Sequence, residues 1–212
     1  MKSVSYIKNK MPQNASIIFI LSLIIMCGCI RHEASAPPYR DVSRNLFTIK
    51  SVCLVELQNK TIYPQISLDV TDSLYQSLQK KQRFNLSLLK QTDAAWETIE
   101  VKTDSFCTLE QLLAAHKQLG TDALLMGTVT SYSPYPRIAI GLKLKLVDLR
   151  TGQVVWAVEQ IWDTADKSTQ ERIEKYFDKQ LRSDFSPIGE QLATLSPLNF
   201  IKFITYEVME TM

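Results

Sequence analysis

Few residues in this chain could do chemistry. It has two histidines, His32 and His116. A zinc or transition-metal site would require a second His, Cys or carboxylate at ligand spacing, and neither histidine has one. His32 lies in the polar stretch IRHEASAPPYRDVSRN (residues 30–45). His116 falls on the polar side of a helical pattern over 109–119, where a solvated ring is expected. Asp69 and Asp72 could work as a general acid/base pair only if both faced one cleft; three apart on an amphipathic helix, they read as its exposed flank. No G-x-S-x-G, Walker-type or G-x-G-x-x-G sequence occurs, and the chain has six glycines in all. The pattern indicates no catalytic residue, no cofactor and no metal ligand. An enzyme with acids gathered from distant segments would betray itself by two facing carboxylates, one with a raised pKa.

The cysteines say more. Lys2, Lys8 and Lys10 form a basic start with no acidic residue before position 29, and Ile17 to Met26 (IIFILSLIIM) is a short apolar run. Ten residues are too few to cross about 30 Å of hydrocarbon, which takes about 20, but they suit the core of a secretion signal. Met26-Cys27-Gly28-Cys29 then resembles the lipobox of bacterial lipoproteins, with small Gly28 before the cysteine that receives the lipid; Met26 and Cys27 depart from the usual residues there. The bulky Met26 sets Cys27 aside as acceptor. The reading is a signal peptide over 1–28, lipid attachment at Cys29, a flexible tether over 29–45, and one domain over 46–212. Ile30 stands where an Asp would mark inner-membrane retention, which favours the outer membrane. An oxidising envelope permits a Cys53–Cys107 disulfide, while the apolar run around Cys53 favours a buried free thiol; both remain open.

The whole chain carries 24 Lys and Arg against 22 Asp and Glu, and three of the lysines belong to residues 1–28. The mature part is thus near neutral, and its charge offers nothing to a nucleic acid.

The elements follow from periodicity. Phe47 to Leu57 reads as a strand buried on both faces through Val52–Val55. Gln58 to Tyr63 is a loop, and Pro64 opens a helix whose stripe is Ile66, Val70, Leu74 and Leu78. Arg83 to Leu89 is a second strand, and a short helix is expected around 93–98. Thr108 and Gln111 predict a capping box for a helix over 109–119 that ends at Gly120. Ala123 to Tyr132 is a third strand. Ile138, Ile140, Leu142, Leu144 and Leu146 alternate along a fourth, and Val154, Trp156 and Val158 along a fifth, with Arg150-Thr151-Gly152 turning between them. Trp156 is expected in the core, and Trp162 in the core or at an interface. Two helices finish the chain: one carries Ile173, Tyr176, Phe177 and Leu181; the other starts at Ser196-Pro197 and carries Phe200, Ile201, Ile204 and Val208. The fold class is α/β: a single mixed β-sheet covered by helices, with two C-terminal helices.

Two stretches resemble a known family. VELQNKT (55–61), followed by a helix and Arg83-Phe84, is similar to the strand, Asn-x-Thr loop, helix and "RF" strand of envelope lipoproteins related to LpoB, CsgG and the TolB N-terminal domain. TDALLMGTV (121–129) and LVDLRTGQVVW (146–156) resemble that superfamily's second signature. Gly127 suits a close backbone approach, and Asp148 and Trp156 would be structural parts of the hairpin. The resemblance spans about residues 50–163.

It implies a non-catalytic domain facing the periplasm that works by binding an envelope protein, such as a peptidoglycan synthase or a secretion component, while held to a membrane by its N-terminal lipid. A homo-oligomer stays open. The alternative is a subunit of a CsgG-like outer-membrane channel, which would need added membrane-crossing strands of about 9–11 residues. The one long hairpin, 137–162, is already the superfamily's core hairpin.

Overall fold

The computed structural model describes residues 39–41, 46, 48–94, 96, 108–180 and 196–212. Its strands are β1 (Tyr39–Asp41), β2 (Ser51–Val55), β3 (Gln58–Asn59), β4 (Asn85–Leu89), β5 (Ala123–Ser133), β6 (Ala139–Asp148) and β7 (Val154–Asp163). The helices are α1 (Ile66–Lys81), α2 (Leu109–Leu119), α3 (Lys167–Gln180) and α4 (Pro197–Glu210). All seven strands join one sheet in the order β1-β7-β6-β5-β2-β4, with β3 pairing β5. The β2–β4, β2–β5 and β3–β5 pairs are parallel; β5–β6, β6–β7 and β1–β7 are antiparallel. This is the mixed sheet that the order of elements predicts.

Each pattern has a visible cause. Val52, Cys53, Leu54 and Val55 are all buried because β2 is central and has helices on both faces. On one face Leu54, Leu125, Ile140, Leu142, Leu144 and Leu146 meet the α1 stripe and the α4 side chains Phe200, Phe203, Ile204 and Val208. On the other face Cys53, Val55, Leu124, Met126 and Val147 meet Leu112 and Ala115 of α2. Full burial of one such side chain stabilises by about 1.5–3 kcal/mol, so the first face carries most of the hydrophobic stability. The Thr108–Gln111 capping box forms, and Gly120 takes the left-handed conformation at φ 63°.

Gly127 is required by space. A Cβ there would lie 2.4 Å from Leu144 Cδ2 and 2.5 Å from the Lys143 carbonyl oxygen.

Four expectations change. Tyr39–Asp41, inside the stretch expected to be tether, pair with β7. Gln58 and Asn59, expected in a loop, add to β5. Pro64 sits in the turn before the N-cap Gln65 rather than in the first helical turn. Val154 is exposed and Val155 is buried. The register shifts between Leu146/Val147 on β6, so that Val154 faces Val147 and Trp156 faces Leu146. A bulge residue reverses the alternation, and Val155 takes the core position that Val154 would have held. Phe47, the rest of the helix expected around 93–98, Cys107 and Leu181 lie outside the described residues.

Candidate interaction surface

Most of the polar groups that could do chemistry are engaged in holding the fold. His116 is half-buried rather than solvated, and its Nδ1 lies 2.6 Å from the Thr121 carbonyl oxygen. Asp69 is half-buried and accepts from Gln65 Nε2 at 3.4 Å, while Asp72 is exposed. Asp148 is buried, and its Oδ1 accepts from the Arg150 N–H at 2.8 Å across the β6–β7 turn. Asp122 Oδ2 accepts from the N–H groups of Lys50 (3.0 Å) and Ser51 (3.1 Å) and from the Ser51 hydroxyl (3.1 Å), joining the starts of β2 and β5. The Lys50 N–H, the Ser51 bonds and the nearby Arg150 hold its carboxyl below the ordinary aspartate value.

Glu207 is the one carboxylate among the described residues resolved as raised, chiefly by burial. The groups that act on it besides burial are Arg172 and Trp162, neither of them a carboxylate. Its Oε2 accepts from the Trp162 indole N–H and its Oε1 from Arg172 Nε, each at 2.7 Å, tying α4 to β7 and α3. Among the described residues no group of three or more His, Cys, Asp or Glu could hold a metal ion. Cys53 is a buried free thiol, and burial pushes its pKa up. Trp156 and Trp162 are both core, the former donating to the Thr211 carbonyl oxygen at 3.2 Å. Cys29 lies outside the described residues.

What the molecule presents outward is a surface. Helix α2 covers the half of its face formed by β2, β4 and β5, but the β6–β7 half carries half-buried Lys145 and, in the open, Lys143, Glu159 and Ile161. Lys143 Nζ and Glu159 Oε2 pair there at 3.3 Å.

A second feature lies where β5 ends, β6 begins and β7 ends: Ala139 pairs with both Ser133 and Asp163. The 60–64 loop joins this end, since Lys60 N–H donates to the Val129 carbonyl and the Tyr63 ring meets Tyr132 edge-on at 5.0 Å. The loop is held by its own side chains. Asn59 Nδ2 donates to the Tyr63 carbonyl (2.6 Å), and Asn59 Oδ1 accepts from both the N–H and the hydroxyl of Thr61 (2.8 Å each). The Asn-x-Thr signature is therefore a loop brace. It presents Ile62, 87 % exposed; Tyr135, at 84 %, lies in the connection that follows β5, and Ile161, at 65 %, near the end of β7. Sequence reasoning missed these three. The available signal was an isoleucine in a polar loop and a tyrosine between two prolines.

The family described as peptidoglycan-synthase activator LpoB matches residues 32–161, well over half of the chain. No curated protein matches. Among solved structures the chain is similar to the PelC dodecamer of Paraburkholderia phytofirmans at 15 % identity, covering 82 % of this chain and 93 % of that one, with a TM-score of 0.42. It is similar to lipoprotein GNA1162 of Neisseria meningitidis at 16 % identity, covering 63 % and 99 %, with a TM-score of 0.45. It is also similar to the C-terminal domain of LpoB from Escherichia coli at 19 % identity, covering 54 % and 83 %, with a TM-score of 0.37.

Proposed function

The chain belongs to the LpoB family of peptidoglycan-synthase activators, and from that premise we propose that it is a non-catalytic lipoprotein which binds and activates a cell-wall synthase from the periplasmic side of the outer membrane. The family match carries this reading, because it spans β1 to Ile161 of β7 and so takes in every strand of the sheet, short of the last two residues of β7. The interior chemistry supports it. Asp122, Asp148, Glu207 and His116 are each bonded to backbone or to a structural partner.

The anchor is Cys29. A basic start, a ten-residue apolar run and Gly28-Cys29 support cleavage before Cys29 and acylation of its thiol. One acyl chain holds only marginally, while each further buried CH₂ adds about 0.8 kcal/mol; several chains would make a durable anchor. The stretch from Cys29 to Tyr39, where β1 joins the sheet, would span about 16–19 Å as a flexible chain, so the domain stays close to its membrane.

The test is crosslinking in intact cells followed by pull-down, with wild type and Cys29→Ala in parallel. Capture of a peptidoglycan synthase by the wild type, lost in the variant, is the expected result. A ring-sized ladder of the protein crosslinked to itself, with no synthase, would overturn the reading in favour of a channel or scaffold.

A further inference from the structure

The direction of β1 decides which end of the domain meets the anchor. β1 runs antiparallel to β7, with Tyr39 opposite Val158 and Asp41 opposite Trp156. The chain before Tyr39 therefore leaves toward Asp163, the end of β7 that carries the 60–64 loop and the 134–138 connection. Ten residues of chain run from Cys29 to Tyr39. At about 3.3–3.6 Å per residue they reach at most about 35 Å, and as a flexible coil they span about 16–19 Å. With Cys29 acylated, a flexible chain of that length would keep the lipid within a short reach of the end that carries Ile62 and Tyr135.

We propose that this end of the sheet seats on the leaflet that holds the Cys29 lipid, with Ile62 and Tyr135 entering the boundary between headgroups and acyl chains. The inference rests on the lipid-anchor reading above. Three observations carry it. First, the side chains are of the interfacial kind: tyrosine has an apolar ring and a polar tip, and is enriched where a membrane meets water. Second, Ile62 is held out rather than folded back, because Asn59 and Thr61 brace the loop and the Tyr63–Tyr132 contact fixes it to the sheet, and the Ser133 hydroxyl donates to the Tyr135 carbonyl oxygen at 3.2 Å. Third, the chain toward the anchor departs from this end and not from the other. The opposite end also exposes apolar groups, Leu109 beside Gly152 of the β6–β7 turn and Val154, but β1 directs the tether away from them. Arg137, exposed at the same connection as Tyr135 and paired with Asp163 at 3.3 Å, adds a cation that can meet lipid phosphate. With this end down, the β6–β7 turn at the opposite end points into the periplasm, where a synthase domain could dock.

The test uses the lipidated full mature protein reconstituted into vesicles of phosphatidylethanolamine and phosphatidylglycerol, with and without brominated acyl chains. Tyr135→Trp and Leu109→Trp place an indole at each end, and the wild-type emission, from Trp96, Trp156 and Trp162, is subtracted. Both positions are exposed, so neither substitution disturbs the core. Flotation shows whether the protein is bound. The expected result is that the Tyr135→Trp signal is blue-shifted and largely quenched by bromine while the Leu109→Trp signal is unchanged. Bound protein with an unquenched Tyr135→Trp signal, or with Leu109→Trp quenched instead, overturns the seating while leaving the anchor intact. Failure of the wild type to float overturns the anchor reading, and the seating with it.

Discussion

At the residue scale the most demanding site is the Arg172–Glu207 pair under Trp162, whose two side chains are 14 % and 13 % exposed. Removing one partner of a buried pair costs about 3–5 kcal/mol, because the other charge is left without compensation. Arg172→Leu is expected to lose stability of that order in urea unfolding, and to do so in a pH-dependent way. Burial raises the folded pKa of Glu207 above its ordinary 4.5, while Arg172 opposes the rise. Between the unfolded and folded pKa values the native state then binds more protons. The contribution is therefore fully present below 4.5 and is lost as pH rises through the folded pKa. Without Arg172 the rise is larger, so the variant should fall further behind wild type as pH increases from 4.5, and parallel pH profiles would contradict the assignment. Gly127 is a steric case. Gly127→Ala puts a methyl into the Lys143 carbonyl and Leu144, so a loss of about 1–3 kcal/mol in the same assay is expected. The need for a glycine there was legible in the resemblance. The Glu207 clamp was not, since nothing in a sequence says that positions 162, 172 and 207 converge.

At the element scale, patterns that depend on one stretch of chain were legible and those that depend on two were not. The α1 stripe, the Thr108–Gln111 box and the Ile138–Leu146 alternation are local, and all three hold. The Val154 assignment failed because its bulge is a relation between β6 and β7. β1 and β3 were missed because strands of three and two residues, without apolar alternation, exist only by pairing with a neighbour. The exposed end went unread for the same reason, because its residues come from separate loops. The α2 cap can be tested through what the helix covers. Cys53 lies beneath α2, and burial raises its pKa and leaves it unreactive. Thr108→Ala should weaken the helix by about 1 kcal/mol, which is about fivefold in a local opening equilibrium. Alkylation of Cys53, followed by peptide mapping, should speed up by that factor, and an unchanged rate would mean that α2 is held by packing alone.

At the scale of the whole molecule, the family match ends at residue 161 but the core does not. Phe200, Ile201, Phe203, Ile204 and Val208 of α4 are buried against the sheet and α1, and Ser73 and Ser77 of α1 lie 2.9 and 3.1 Å from the Thr205 hydroxyl. Trp156 and Trp162, one near each end of β7, both donate their indole N–H to this C-terminal segment. Five side chains at about 1.5–3 kcal/mol each amount to as much as the whole net stability of an ordinary domain, about 5–15 kcal/mol. A chain stopped at residue 195 is therefore expected to lose cooperative unfolding, while Phe203→Ala, at about 3–5 kcal/mol, should unfold cooperatively at a lower urea midpoint. Circular dichroism and tryptophan emission across urea would show both, and Trp156 and Trp162 report directly because α4 covers them. If the shortened chain unfolds with wild-type cooperativity, the sheet stands alone and the C-terminal helix is an addition to it. If it does not, the minimal folded unit is larger than the family's matched region, and activation assays on any form of this protein have to keep α4.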